Sequence, residues 1–299
     1  MQRPGAEAAM APSVVRAHPS GRHLSWRLAG PVLTHALMIA LSVVMVFPFV
    51  TMFLTSIMTF SQAYSFPPDL IPKPLYLANY SEALALRPFH IYLLNSLGVA
   101  LAITIARLIG CSLGAFAFAR LQFPGRDLIF WVYLATLMLP DHVTLIPLFF
   151  ITRDLHWIDT YAGLTVPFFV TAFGVFLLRQ FFLTIPREIE EAAIIDGCGP
   201  FGLYARIVLP LAKSGIAALG ILTFVNAWNM FVWPLIVTNS DPMRTIVVGI
   251  ALLTTDSVQL ANWPRMMAVS TMAVVPSLVV FLFGQRYFVQ GITLSGLKG

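Results

Sequence analysis

The sequence predicts an all-α integral membrane protein with six transmembrane helices, on two facts of composition and one of pattern. Of the 299 residues, 58% are hydrophobic and only 10% are charged, and the mean hydropathy is +0.83. Soluble domains carry roughly 25% charged residues; so few charges cannot cover a globule of this size. The pattern is a series of long apolar runs. A bilayer core about 30 Å thick needs about 20 mostly apolar helical residues. Runs of that kind fall at Leu28–Thr55, Tyr92–Ala119, Leu128–Thr152, Tyr161–Leu183, Ser214–Thr238 and Met266–Phe288.

The first 27 residues, rich in Pro, Gly, Ser and Arg, read as a disordered arm. The run that follows is longer than a secretory core and lacks a small-x-small cleavage site, so it is expected to be a retained span. Pro48, Pro140, Pro147, Pro167, Pro234 and Pro276 lie inside the runs. They would break helices in water, but neighbours in a bundle can re-satisfy the freed backbone groups. Orientation follows from Lys and Arg near the span ends. With the N-terminus inside, that side holds twelve: Arg3, Arg16, Arg22, Arg27, Arg120, Arg126, Arg179, Arg187, Arg206, Lys213, Arg286 and Lys298. The other side holds five: Lys73, Arg87, Arg153, Arg244 and Arg265. Both termini are therefore expected in the cytoplasm, with the tail 289–299 there and the spans forming one domain, 28–288.

The net charge of +5 does not imply nucleic acid, because the basic residues are scattered and form no stripe. Cys111 and Cys198 offer neither a disulfide framework nor a metal-ligand spacing, so no metal site is expected.

One long loop on the expected cytoplasmic side, 184–213, has a distinctive sequence. Pro186 suits the first turn of a helix, and Glu188, Glu190 and Glu191 favour its positive end. Gly197 can terminate that helix in a left-handed conformation, with Pro200 just beyond. A second short helix, about Phe201–Leu209, leads to Pro210 and back into the membrane. An ordinary helix–turn–helix connector would look broadly similar.

The string Glu191-Ala192-Ala193, then Asp196-Gly197, then Ile207-Val208-Leu209-Pro210 resembles the EAA loop of binding-protein-dependent ABC importer permeases. The resemblance runs from about Phe47 to Gly299 and narrows to the carbohydrate-uptake branch of maltose and glycerol-3-phosphate permeases. It is supported by Phe47-Pro48-Phe49, Asn79-Tyr80, Asn95-Ser96, Ala119-Arg120 with Phe123-Pro124-Gly125-Arg126, Asp159-Thr160-Tyr161, Trp228-Asn229 and Trp233-Pro234-Leu235. It implies the maltose-type permease fold and a coupling helix, carried by Glu190 to Ala193, that sits in a cleft of an ATPase subunit. The implied partners are a homologous second permease, two ATPase subunits that bind the ATP and Mg, and an extracytoplasmic substrate-binding protein. The implied setting is the bacterial plasma membrane. Phe116 stands where the family usually has tyrosine, Cys198 where alanine is common, and a lysine that often follows span one is absent at Thr55–Thr59. None of these disturbs the coupling loop, but Phe116 and the missing lysine leave the identity of the substrate open.

The chain has no G-x-x-x-x-G-K-[ST] phosphate cradle and no H-E-x-x-H, so it is read as a transporter subunit, not an enzyme, with no cofactor of its own. Gly110-Cys111-Ser112-Leu113-Gly114 matches G-x-S-x-G, but that motif needs a strand–turn–helix. Here it lies mid-span, where Gly110 and Gly114 favour close helix packing. An intramembrane hydrolase built on Ser112 and His142 is one alternative function. A self-sufficient secondary transporter is another, although no internal repeat of the expected kind is visible.

Polar residues inside the spans are the remaining candidates. Asn226, Trp228 and Asn229 could line a sugar path or bond across helices. Arg107 lies near the middle of span two, where an arginine costs about 2.5–3.5 kcal/mol and should face the interior. Counted from the span ends at about 1.5 Å per residue, Asp141 of span three lies level with it. An Arg107–Asp141 ion pair with His142 nearby is expected; the competing role is a path residue that meets an anionic substrate, and the bland one is snorkelling.

Overall fold

The computed structural model describes residues 23–67, 69, 71–255 and 262–296, with side chains described for 30–67, 69, 71–140, 142–253 and 262–285. The chain divides into two units, 1–50 and 51–299. All regular structure among the described residues is helical.

Helix α1 covers His23–Ser56, with Pro31 and Pro48 inside it. Within the first unit its described side chains, residues 30–50, are exposed and mostly apolar, Leu37 and Val44 among them, as suits a helix solvated by lipid or by a neighbouring helix. In the second unit come α2 (Phe60–Ala63), α3 (Ala78–Leu86) and the long α4 (Phe89–Arg120). The next two spans are each broken. One is α5 (Arg126–Ala135), a tight turn and α6 (Asp141–Asp154); the other is α7 (Tyr161–Thr165), the tight turn Val166–Phe168 and α8 (Ala172–Leu183). The loop then carries α9 (Arg187–Ile195), α10 (Pro200–Leu203), a wide π-type turn at Tyr204–Val208 and α11 (Leu209–Leu211). A bend of 78° leads into α12 (Lys213–Trp228), followed by α13 (Val232–Val237), α14 (Ile246–Thr255) and α15 (Trp263–Gly296).

Three helices are long and apolar enough to cross a membrane alone, and the bent pairs raise the number to six. The expected spans differ from these in a physically consistent way. Pro48, Pro147 and Pro276 sit inside continuous helices, whereas Pro140 caps α6 and Pro167 opens the tight turn after α7. The fourth span restarts where the Thr171 hydroxyl accepts from the Gly174 amide at 3.2 Å. The fifth ends at Trp228, capped by Asn229, and not at Thr238. Residues 1–22 and 297–299 of the expected arm and tail lie outside the described residues. The helix begins within the expected arm, at His23, and α15 continues past Phe288 to Gly296.

α4 is the axis of the second unit, with α8, α12 and α14 packed on it. Its first half contributes Phe89, Tyr92, Val99 and Ile103 to one core cluster, with Leu164, Trp233 and Val269. Its second half contributes Cys111, Ala115 and Ala119 to another, with Leu178, Phe182 and Tyr204. Lipid supplies no hydrophobic drive between helices, so close packing must do the work. At Gly110 a Cβ would lie 2.7 Å from Val170 Cγ2, and at Gly114 3.3 Å from Val175 Cγ2. These two glycines let α4 and the fourth span approach closely.

Polar side chains fasten the loops. Asn79 Nδ2 donates to the carbonyls of Ser56 (2.9 Å) and Met58 (2.7 Å). Asn95 Nδ2 donates to Pro242 O and Arg244 O, while its carbonyl accepts from Tyr161 Oη at 2.7 Å. Asp159, at φ 58°, accepts from the Asn239 and Ser240 amides. Partial burial opposes its ionisation, but those bonds hold its carboxyl below the ordinary range.

Candidate functional site

The 184–213 loop is built from its caps inward. Pro186 is the residue just before α9, and Glu188 and Glu190 lie in the first turn, where the exposed amides favour negative charge. At the other end Gly197 adopts φ +84°. Its amide donates to Ile194 O (3.0 Å), and the Cys198 amide donates to Ala193 O (2.9 Å). This paired pattern is the Schellman termination, and it needs a left-handed residue at that point. The expected second helix, Phe201–Leu209, is interrupted by the π-type turn at Tyr204–Val208, a feature frequent at functional sites.

The adjacent glutamates Glu190 and Glu191 face opposite ways. Glu190 is buried, with Oε1 2.7 Å from Arg120 Nε at the end of α4. That N–H is not aimed along the contact, so the attraction is ionic without an aligned hydrogen bond. Arg120 Nη2 also donates to Phe182 O (2.6 Å) and Ile185 O (2.8 Å). One guanidinium thus holds α4, the end of α8 and α9 together. Burial pushes the Glu190 carboxyl above its ordinary range, with Arg120 and Arg187 opposing. Ile207 and Leu209 also turn inward, against the second core cluster, and Ala193 is half-buried there. Glu191, Ala192, Asp196 and Pro210 are exposed, as are Ile194 (57%), Ile195 (86%) and Phe201 (74%). The outward face of this loop therefore sets exposed apolar side chains beside carboxylates, the kind of patch that marks an interaction site.

The second place is a cavity of about 520 Å³ lined by Arg107, His142, Asn226, Phe168 and Trp233, among others. Arg107 Nε and Nη2 both donate to Phe168 O, at 2.9 and 2.6 Å. That carbonyl ends the first half of the broken fourth span, the negative end of a short helical segment. The expected Arg107–Asp141 pair falls on the Asp141 side chain, which lies outside the described residues. Among the described residues no carboxylate lies within ion-pair distance of Arg107. Of the three span-five candidates, only Asn226 lines the cavity. Trp228 is buried; its indole donates to Ala273 O at 2.9 Å and stacks on Phe224, a bond across helices. Asn229 donates to Val225 O of its own helix.

Ser112 is buried and shares a 2.7 Å hydrogen bond with Tyr204 Oη. His142 lines the cavity instead, so among the described residues no general base sits on Ser112, and the hydrolase alternative fails on geometry. Sequence reasoning named Arg120 but not its pairing with Glu190, and it missed Tyr204 and Asp241, which accepts from Tyr92 Oη at 2.8 Å and pairs with Arg87 and Arg244.

A polytopic helical chain with broken spans, a largely apolar cavity that holds an arginine, and an exposed, tightly terminated loop is the architecture of a membrane transport component. The family model described as binding-protein-dependent transport system inner membrane component matches residues 108–294. Curated relatives include the sn-glycerol-3-phosphate transport system permease protein UgpE of Agrobacterium fabrum, 38% identical over 87% of this chain and 95% of its own length. The protein of that name from Yersinia pestis is 37% identical over the same shares. A chain of a bacterial ABC transporter involved in the import of the acidic polysaccharide alginate superposes with TM-score 0.78 at 23% identity. That match covers 93% of this chain and all of the other. The chain belongs to the binding-protein-dependent transport system inner membrane component family. It is a permease subunit of an ABC importer, not an enzyme, which removes the self-sufficient secondary transporter as an alternative.

Proposed function

We propose that this chain is one of two homologous permeases that together form the path for a carbohydrate or polyol derivative across the bacterial plasma membrane. An extracytoplasmic binding protein delivers the substrate, and two separate ATPase subunits, holding ATP and Mg, drive alternating access. Both termini lie in the cytoplasm. The observation that carries this reading is the outward face of α9, with Glu191, Ala192, Ile194 and Ile195 exposed beside a Schellman turn. Small and apolar residues admit close approach by another protein, and Glu191 supplies a charged anchor at the edge of the contact. The relatives named for sn-glycerol-3-phosphate transport support a polyol derivative as cargo.

The test is co-expression with the candidate ATPase and partner permease, followed by reconstitution into vesicles. Substrate uptake that requires both ATP and the binding protein is expected. Uptake that persists without ATP, or failure of the ATPase to co-purify, overturns the reading.

A further inference from the structure

We infer that the cavity beside Arg107 is an anion subsite, which reads a phosphate or carboxylate group on the transported polyol or sugar. The inference rests on the permease reading above and adds the charge of the cargo. Arg107 is only partly buried and spends one edge of its fork, Nε and Nη2, on Phe168 O. Its Nη1 has no partner among the described residues, and none of the described ion pairs includes Arg107. The other described polar groups lining the cavity are His142, Thr144, Thr171 and Asn226, none of them acidic. A guanidinium fixed by one edge against a backbone carbonyl presents its other edge in a defined direction. That suits the paired oxygens of a phosphate or carboxylate. Asn226 and His142, both exposed to the cavity, supply groups for hydroxyls. The volume of about 520 Å³ lies within the range of small-molecule sites. Among the described residues no carboxylate meets the open edge of Arg107, so an anionic cargo would supply a counter-charge there and a neutral sugar would not.

The test uses the assembled transporter in lipid nanodiscs, without ATP. Met230, which lines the cavity, is replaced by cysteine and Cys198 by serine; Cys111 is buried. A membrane-permeant maleimide then labels residue 230 in the presence of inorganic phosphate, sn-glycerol-3-phosphate or glucuronate. Glycerol and glucose at matched ionic strength are the neutral controls. At least one anion is expected to slow labelling while the neutral probes do not. Arg107→Gln should weaken that protection by roughly tenfold or more, the loss of a charge-assisted contact, and Arg107→Lys should retain part of it. The proposal is overturned if no anion protects, if glycerol or glucose protects equally, or if Arg107→Gln is protected like wild type. Should Arg107→Gln fail to assemble, the wild-type contrast between anions and neutral probes decides alone. ATP-driven uptake of a neutral sugar by a transporter without anion protection would leave the permease reading intact and remove only this one.

Discussion

Arg120 Nε lies 2.7 Å from Glu190 Oε1, and through that contact the end of α4 grips the helix whose outward face is offered to a partner. Both side chains are at most 9% exposed. A displacement of α9 would therefore act directly on the end of α4. Removing one partner strands a buried charge, at a cost of about 3–5 kcal/mol, whereas removing both can be nearly neutral. Arg120→Leu and Glu190→Leu should each lower the yield of folded, membrane-inserted protein, and the double variant should recover most of it. Simple addition of the two losses would show that the residues act independently.

The same pair has a pH signature. A carboxyl whose pKa rises on folding holds its proton more tightly in the folded state, so its contribution to stability declines as pH rises through the raised range. Glu190 is raised by burial. The melting temperature of the purified transporter should therefore gain slightly from neutral toward mildly acidic pH, and Glu190→Gln should flatten that trend. An unchanged trend in the variant assigns the dependence to other groups.

The outward residues of α9 predict a different phenotype. Ile195 is 86% exposed, so Ile195→Asp costs the fold little but places a charge in the expected contact with the ATPase. Glu191→Ala removes the anchor. Both variants should insert normally and lose ATPase co-purification and transport. Gly197→Pro should be worse, because proline fixes φ near −65° where +84° is required. Full transport in Ile195→Asp would place the ATPase elsewhere.

These residues also show where the sequence was legible. The apolar runs and the Gly197 terminator follow from local periodicity and backbone sterics, which a single segment carries within itself. Glu190 against Glu191 was not resolved, because only the fold brings Arg120 to one side of α9. Arg107 was matched to an acidic residue at equal depth, Asp141. The Asp141 side chain lies outside the described residues; the partner of Arg107 among the described ones is the Phe168 carbonyl, freed by the break after Pro167. Whether a proline breaks a span, as at Pro140 and Pro167, or is absorbed, as at Pro48 and Pro147, depends on neighbours that can re-satisfy the backbone. That information is tertiary.

Topology has a direct test. Phe66, in the loop between α2 and α3, is 97% exposed. Phe66→Cys should react with a membrane-impermeant maleimide added to intact cells, if the Lys and Arg asymmetry sets both termini inside. Reaction only after permeabilisation would invert the orientation and place the 184–213 loop away from any cytoplasmic ATPase.

The approach at Gly110 joins packing to the cavity. A Cβ there would lie 2.7 Å from Val170 Cγ2 and 3.7 Å from Phe169 O. Val170 is two residues past Phe168, whose carbonyl Arg107 holds. A larger residue at 110 must therefore push the broken part of the fourth span away from α4, and it moves the anchor of the guanidinium with it. Overpacking of this kind typically costs about 1–3 kcal/mol. Gly110→Val should lower thermal stability by that order and reduce transport more than stability alone explains. Val170→Ala in the same chain makes room for the added methyls and should restore much of both. If Val170→Ala restores neither, the contact between α4 and the fourth span does not set the position of Phe168.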